Sequence, residues 1–271
     1  RETLRDQARK VREILKPVYA CRAHDSAQVC VAMGHAHIDV AWLWPLSETV
    51  RKTGRTFANV LELMDRYPDF TFVQSQPHLY EFARDRYPAL YRQVRERVKE
   101  GRWIPVGCTW VEPDCNITGG ESLVRQILFG TRFFEQEYGI RSSILWLPDA
   151  FGYPASLPQI MKRSGIDYFF TTKISINQFT RFPYHSFYWE GIDGSRVLAH
   201  LLPNEEYSSE MEPWLIRMGE NDYVEKDRSP VQMLLYGRGD GGGGPSRDHL
   251  ERLNRYRDFE GLPKIESGSP E

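Results

Sequence analysis

Apolar runs of strand length alternate with amphipathic segments of helix length along nearly the whole chain, and four of the apolar runs end directly in a polar cluster. QVCVAMG (28–34) leads into HAHID, the run at 103–106 into VEPDCN, the run at 144–147 into LPDAFG, and QMLLY (232–236) into GRGDGGGG. Further strands are predicted over 70–74, 168–171 and 196–201. Helices are predicted from the start to about Pro17 and over 46–66, 79–100, 122–138, 156–164 and 247–256, where apolar residues recur at helical spacing. Such alternation argues for an α/β fold with parallel strands and helical crossovers. Polar clusters after successive strands put reactive side chains on one rim, as α/β barrels and related sheets do. Neither GxGxxG after the first strand nor GxxxxGK[ST] anywhere occurs, which disfavours a nucleotide-binding fold.

With 271 residues, 41% of them hydrophobic, one large domain suits the chain better than two. Residues 1–27 read as an N-terminal helix and linker, and residues 28–271 as the domain proper. A formal charge of −2 offers no basic surplus for nucleic acid. No run approaches the roughly 18 apolar residues of a membrane span. The opening RETLRDQARKVREILKP is charged and amphipathic, unlike a signal peptide. Cys21, Cys30, Cys108 and Cys115 form no CxxC pair, and reduced thiols in a cytoplasmic protein are expected. The start at Arg1 and the polar tail IESGSPE read as cuts in a longer protein.

Within the clusters, His37 and Asp39 are two residues apart after a strand. In extended backbone they point the same way, which brings an imidazole and a carboxylate to one point, a donor pair that suits zinc. A His–Asp hydrogen bond that only shapes the loop is the plainer alternative, and His35 is a candidate for supporting a ligand from behind. Asp149, between Pro148 and Phe151, follows the apolar ILWL, where an unpaired charge is costly. It is a candidate metal ligand, nucleophile or both. Asp240 stands among glycines that let backbone approach closely, in a loop between a strand and a helix, so a site loop is expected rather than a linker. Trp42, Trp44 and Phe151 flank these groups and suit stacking on a pyranose. Glu112, Asp114 and Asn116 add polar groups after the third strand.

Taken together, GHAHIDVAWLWP (34–45), WVEPDCNITGGESLVRQ (110–126), LWLPDAFGYPASLPQIM (145–161), FYWEGIDGSRVLAHLLP (187–203) and GRGDGGGGP (237–245) resemble glycoside hydrolase family 38, in its cytosolic or vacuolar, bacterial-type branch. The resemblance runs from about residue 30 to 255. It implies a seven-stranded (β/α) barrel, here truncated at its C-terminal side, and a retaining, zinc-dependent α-mannosidase acting on mannose-containing oligosaccharides or glycans. It further implies that His37, Asp39 and Asp149 bind Zn2+, that Asp149 also attacks the anomeric carbon, and that Trp42 and Phe151 sit against the sugar. In the retaining scheme two carboxyls stand roughly 5–5.5 Å apart and the acid partner is protonated. The resemblance gives that role to Asp240, with Glu112 and Asp114 as substitutes.

The family's fourth ligand is a histidine in a later HRGT motif that nothing here matches. His185, His200 and His249 have no pattern support for that role, and the isolated segment is expected to be weakly active or inactive. Ligand chemistry equally accommodates Co2+ or Mn2+. No nucleic-acid or membrane partner is expected, and a homo-oligomer is open. Two other readings compete. A metal-dependent carbohydrate deacetylase would need two further histidines, yet no HxxxH spacing occurs. The other is a non-catalytic mannose-binding fragment.

Overall fold

The computed structural model describes residues 3–270. In chain order the elements are α1 (Leu4–Tyr19), β1 (Val29–His35), α2 (Leu46–Arg66), β2 (Phe72–Gln74), α3 (Pro77–Arg86), α4 (Pro88–Lys99), β3 (Trp103–Pro105), α5 (Gly120–Tyr138), β4 (Ile144–Trp146), α6 (Leu157–Arg163), β5 (Tyr168–Thr171), β6 (Ser186–Glu190), β7 (Arg196–Leu201), α7 (Pro213–Asp222), β8 (Val231–Tyr236), α8 (Arg247–Tyr256) and β9 (Lys264–Ser267).

The strands form two sheets. One has the order β3-β2-β1-β8, with β9 also on β1, and all its pairs are parallel. β1 is its centre: Val29–Gly34 pair with β8, while Val29–Ala32 pair with β9 and Gly34–His35 with β2. The other sheet has the order β4-β5-β7-β6, parallel except for the β6–β7 hairpin pair.

Both sheets turn side chains into one interior. Met33, Val73, Val106, Ile144, Trp146, Phe170, Leu202 and Leu235 come from on or beside seven strands and pack in a single cluster, with the Trp146 and Phe170 rings stacked 4.0 Å apart. The expected closed seven-stranded barrel is not what the ladders form. Among the described residues no ladder joins β3 to β4 or β7 to β8. The first seam lies between two three-residue strands, and β3 ends on Pro105, which lacks an N–H. A side chain spans it instead: Gly107 N–H donates to Ser142 Oγ at 3.2 Å. At the second seam the neighbour of β8 is not β7 itself but Ser209, which makes a single parallel bridge to Tyr236.

Helices cover the outer faces, and a second cluster, with Phe57, Val60, Phe72, Tyr80, Trp103 and Phe134, packs α2, α3 and α5 on the first sheet. The helix expected over 79–100 is two. Pro88 has no N–H to continue the ladder and pushes Tyr87 out of helical backbone, to φ −134° and ψ 58°. α1 begins with a capping box between Thr3 and Asp6 and buries none of its residues, so Leu4, Val11 and Ile14 are exposed. β6, α7 and β9 carry no expectation from periodicity. All four cysteines are unpaired, and among the described residues no helix is long and apolar enough to cross a membrane.

α5 approaches the segment after β3 so closely that a Cβ on Gly130 would lie 2.1 Å from the Cys108 carbonyl oxygen. Gly130→Ala should therefore destabilise the protein by about 1–3 kcal/mol despite alanine's better helix propensity. Gly120→Ala, where a Cβ meets nothing within 4 Å, should stay within about 0.5 kcal/mol. Paired urea unfolding curves check the contrast, and equal midpoints would refute it.

Candidate active site

The ends of the parallel strands open into a cavity of about 330 Å³, at the small end of ligand pockets. His37, Asp39, Trp42, Asp149, Phe151 and Asp240 all line it, together with Gln76, Glu112, Asp114, Lys173 and Tyr207. The residues singled out for metal binding and catalysis, with Trp42 and Phe151, thus reach one place.

Its centre is His37, 3% exposed. Nε2 lies 3.3 Å from Asp39 Oδ1 and 3.4 Å from Asp149 Oδ2. A tetrahedron with zinc–ligand bonds of ~2.0–2.1 Å has edges of about 3.3–3.4 Å, a length that both spacings match. Among the described residues His37, Asp39 and Asp149 form the one group of metal-capable side chains whose ligand atoms converge, all within 4.8 Å. On the other side of the ring, Glu112 Oε2 is 3.1 Å from Nδ1, and neither atom has another partner. Burial by itself would lower the imidazole pKa. The charge of Glu112, hydrogen bonds with Asp39 and Glu112, and the charge of Asp149 outweigh it and hold the ring up to about 10. The group is an anionic cage that calls for a positive charge, and its mixed nitrogen and oxygen donors fit a borderline divalent ion.

Asp149 has two further neighbours. Lys173 Nζ is 2.5 Å from Oδ1, and the Asp149 N–H donates to Glu112 Oε1 at 2.5 Å. The same ammonium lies 4.7 Å from the Phe151 ring centre and 5.2 Å from that of Tyr207. Tyr207 donates its hydroxyl to Asp240 Oδ1 at 2.8 Å. Burial, then the nearby charge of Asp149 and the bond to Asp240, push that phenol far above its ordinary value, which keeps it a donor. Tyr207 thereby holds Asp240 within the field of Asp149.

The loops that carry these groups are tied to one helix face. On α2, Thr49 donates to Asp39 O at 2.9 Å and accepts from Trp44 Nε1 at 2.9 Å. Thr56 donates to Gly242 O and Asn59 to Pro245 O. Asp240 has φ +50°, and its loop bridges Gly241 to Ile38. Two of the glycines there allow close packing between loops. A Cβ on Gly237 would sit 2.3 Å from His35 O, and one on Gly242 would sit 2.7 Å from the Ile38 side chain.

Several expectations change. His35 does not back the ligands; it is a buried, neutral imidazole, its pKa lowered to about 3 by burial and by His37, and it meets Trp146 Nε1 at 3.4 Å. Glu112 takes the backing position. Asp114 Oδ1 accepts from the backbone of Asn116 and Ile117, a turn-forming role. Trp44 sits under Lys52 and outside the cavity lining. His249 caps α8 beside Glu210, while His200 pairs with Ser186 and His185 lies beside Glu225. Reasoning from sequence overlooked Gln76, Lys173 and Tyr207. The first two follow β2 and β5, so searching the end of every strand would have found them; nothing in the pattern marks Tyr207.

The chain is similar to known proteins in both sequence and fold. Residues 27–271 match the N-terminal domain of glycosyl hydrolases family 38. The chain is 47% identical over 248 residues to alpha-mannosidase 2C1 of Homo sapiens and 44% identical over 259 residues to alpha-mannosidase G of Dictyostelium discoideum. Those alignments take in 91% and 95% of this chain and 24% of each relative, so the chain spans about a quarter of their length. In fold it is similar to an alpha-mannosidase from Enterococcus faecalis V583, with a TM-score of 0.70 and 19% identity over 89% of this chain and 28% of that one. With a fold of this kind and a family match over nearly its whole length, the chain belongs to glycosyl hydrolase family 38.

Proposed function

We propose that this chain is the catalytic core of a metal-dependent, retaining α-mannosidase that removes α-linked mannose from oligosaccharides or glycans. The observation that carries the reading is the convergence of His37, Asp39 and Asp149 on one point of a cavity that Asp240 also lines. Membership of the family and the names of the relatives support it.

His37, Asp39 and Asp149 hold the cation, with zinc as the favoured ion and Co2+ or Mn2+ as substitutes. Bound there, it supplies Lewis-acid polarisation of the sugar's hydroxyls. Trp42 and Phe151, at the mouth, offer flat faces to the pyranose. Asp149 forms a bond to the anomeric carbon as the glycosidic bond breaks, and Asp240 gives its proton to the departing oxygen. Asp240 then takes a proton from the water that releases the sugar, and the configuration is retained. Lys173 offsets the charge of Asp149, and the Tyr207 hydroxyl fixes Asp240 relative to it. On this reading the two sheets are a seven-stranded barrel opened at two seams, residues 28–271 form the catalytic domain, and unpaired cysteines suit a reducing, cytoplasmic setting.

The full-length protein should purify with about one divalent ion per chain, measured by elemental analysis, and should release mannose first as the α-anomer, followed by proton NMR. First release of the β-anomer would refute the nucleophile. Asp240→Asn should lower kcat on the order of 10²–10⁴-fold with the metal retained, as expected for a lost general acid. Tyr207→Phe removes one hydrogen bond to a carboxylate and should lower kcat/KM by about 10- to 100-fold at unchanged metal content. Activity equal to the parent would free Tyr207 from any part in catalysis.

A further inference from the structure

Gln76 is 3% exposed and left-handed, with φ +64° and ψ 85°. It stands at the N-cap of α3, yet its side chain makes no capping bond. Ordinarily a polar N-cap side chain satisfies the first turn of its own helix. Here both ends of the amide serve other loops. Nε2 donates to Ile38 O at 2.9 Å, and Oε1 accepts from Glu112 N at 3.1 Å. Ile38 lies between His37 and Asp39. Glu112 puts one oxygen beside His37 Nδ1 and the other on the Asp149 N–H. One side chain thus ties the segment carrying two ligands to the residue that touches the third ligand and the back of the imidazole. Pro77, next in the chain, has no N–H to compete for either group.

We propose that Gln76 is a positioning residue for the metal centre: it fixes the loop after β1 against the loop after β3, so that Glu112 faces Nδ1 and His37 presents Nε2 to the ion. A carboxylate beside one ring nitrogen selects the tautomer whose other nitrogen binds metal, and losing such supporting contacts typically costs 10- to 100-fold in affinity. The proposal rests on the metal-dependent reading above, and its test separates the two.

The test is zinc affinity of the full-length protein by competition with a chromophoric chelator, alongside the melting temperature of the metal-free form. Gln76→Met keeps the length and removes both bonds. Gln76→Glu keeps an acceptor for Glu112 N–H and loses the donor to Ile38 O. Both variants should fold and bind zinc about 10- to 100-fold more weakly. Tyr80→Phe, which loses a buried bond to Gln74 O nearby, should leave affinity unchanged. Folded Gln76 variants with affinity within twofold of the parent would overturn the proposal. So would failure of both variants to fold, which would make Gln76 a residue of general folding. A parent that takes up no zinc or other divalent ion sinks the metal-dependent reading itself and this proposal with it.

Discussion

His37 is packed among the carboxylates of Asp39, Glu112 and Asp149 with almost no access to water, and the rest of the site is arranged around that fact. Several charges buried together are tolerable only if each is paired and each remaining lone pair is engaged. Here the imidazole takes two carboxylates at Nε2 and one at Nδ1, Lys173 takes the free oxygen of Asp149, and the Asp149 N–H takes the second oxygen of Glu112. Remove any one of these and a neighbour is left as an uncompensated charge. The cluster therefore behaves as a unit, and substitutions within it should be far from additive.

Such a cluster needs loops that do not move. The molecule meets that need with hydroxyls and amides on helix α2 rather than with further charges. Thr49 and Thr56 sit about two helical turns apart, and Asn59 stands three residues on. They hold carbonyls of the loop carrying Asp39 and of the loop carrying Asp240. The apolar residues of the same helix, Phe57, Val60 and Leu61, anchor it to the core. One helix thereby couples core packing to the placement of the loops that carry Asp39 and Asp240.

Much of this was legible in the sequence, and the reasons are specific. Strands with most side chains turned inward read as short apolar runs, so β1, β5 and β8 were found to within a residue or two, as was β7, whose exposed and inward side chains alternate. α2 was found with the same bounds because its apolar residues keep helical spacing and Pro45 sets its start. The 79–100 helix failed at one dipeptide, Tyr87-Pro88, where the apolar period runs on across a break in the backbone. β6 alternates between half-buried and exposed residues and buries none fully, so its pattern is too weak to stand out. The closed barrel failed because hydrogen bonding across a seam depends on local register and on residues such as Pro105, whereas periodicity reports only which side chains face inward. In the site, polarity after apolar runs pointed to His37, Asp39, Asp149 and Asp240. What Glu112 does depends on which loop faces which, information that no single segment contains.

The two seams have a mechanical meaning. His37, Asp39, Gln76, Glu112 and Asp240 ride on the ends of β1, β2, β3 and β8, whereas Asp149 and Lys173 ride on β4 and β5 in the other sheet. The gap between His37 Nε2 and Asp149 Oδ2 is therefore also a gap between two bodies that share an interior but no ladder at their junctions. That spacing is set by what joins the two sheets: the packing around Trp146 and Phe170, and Ser142 and Ser209 at the seams.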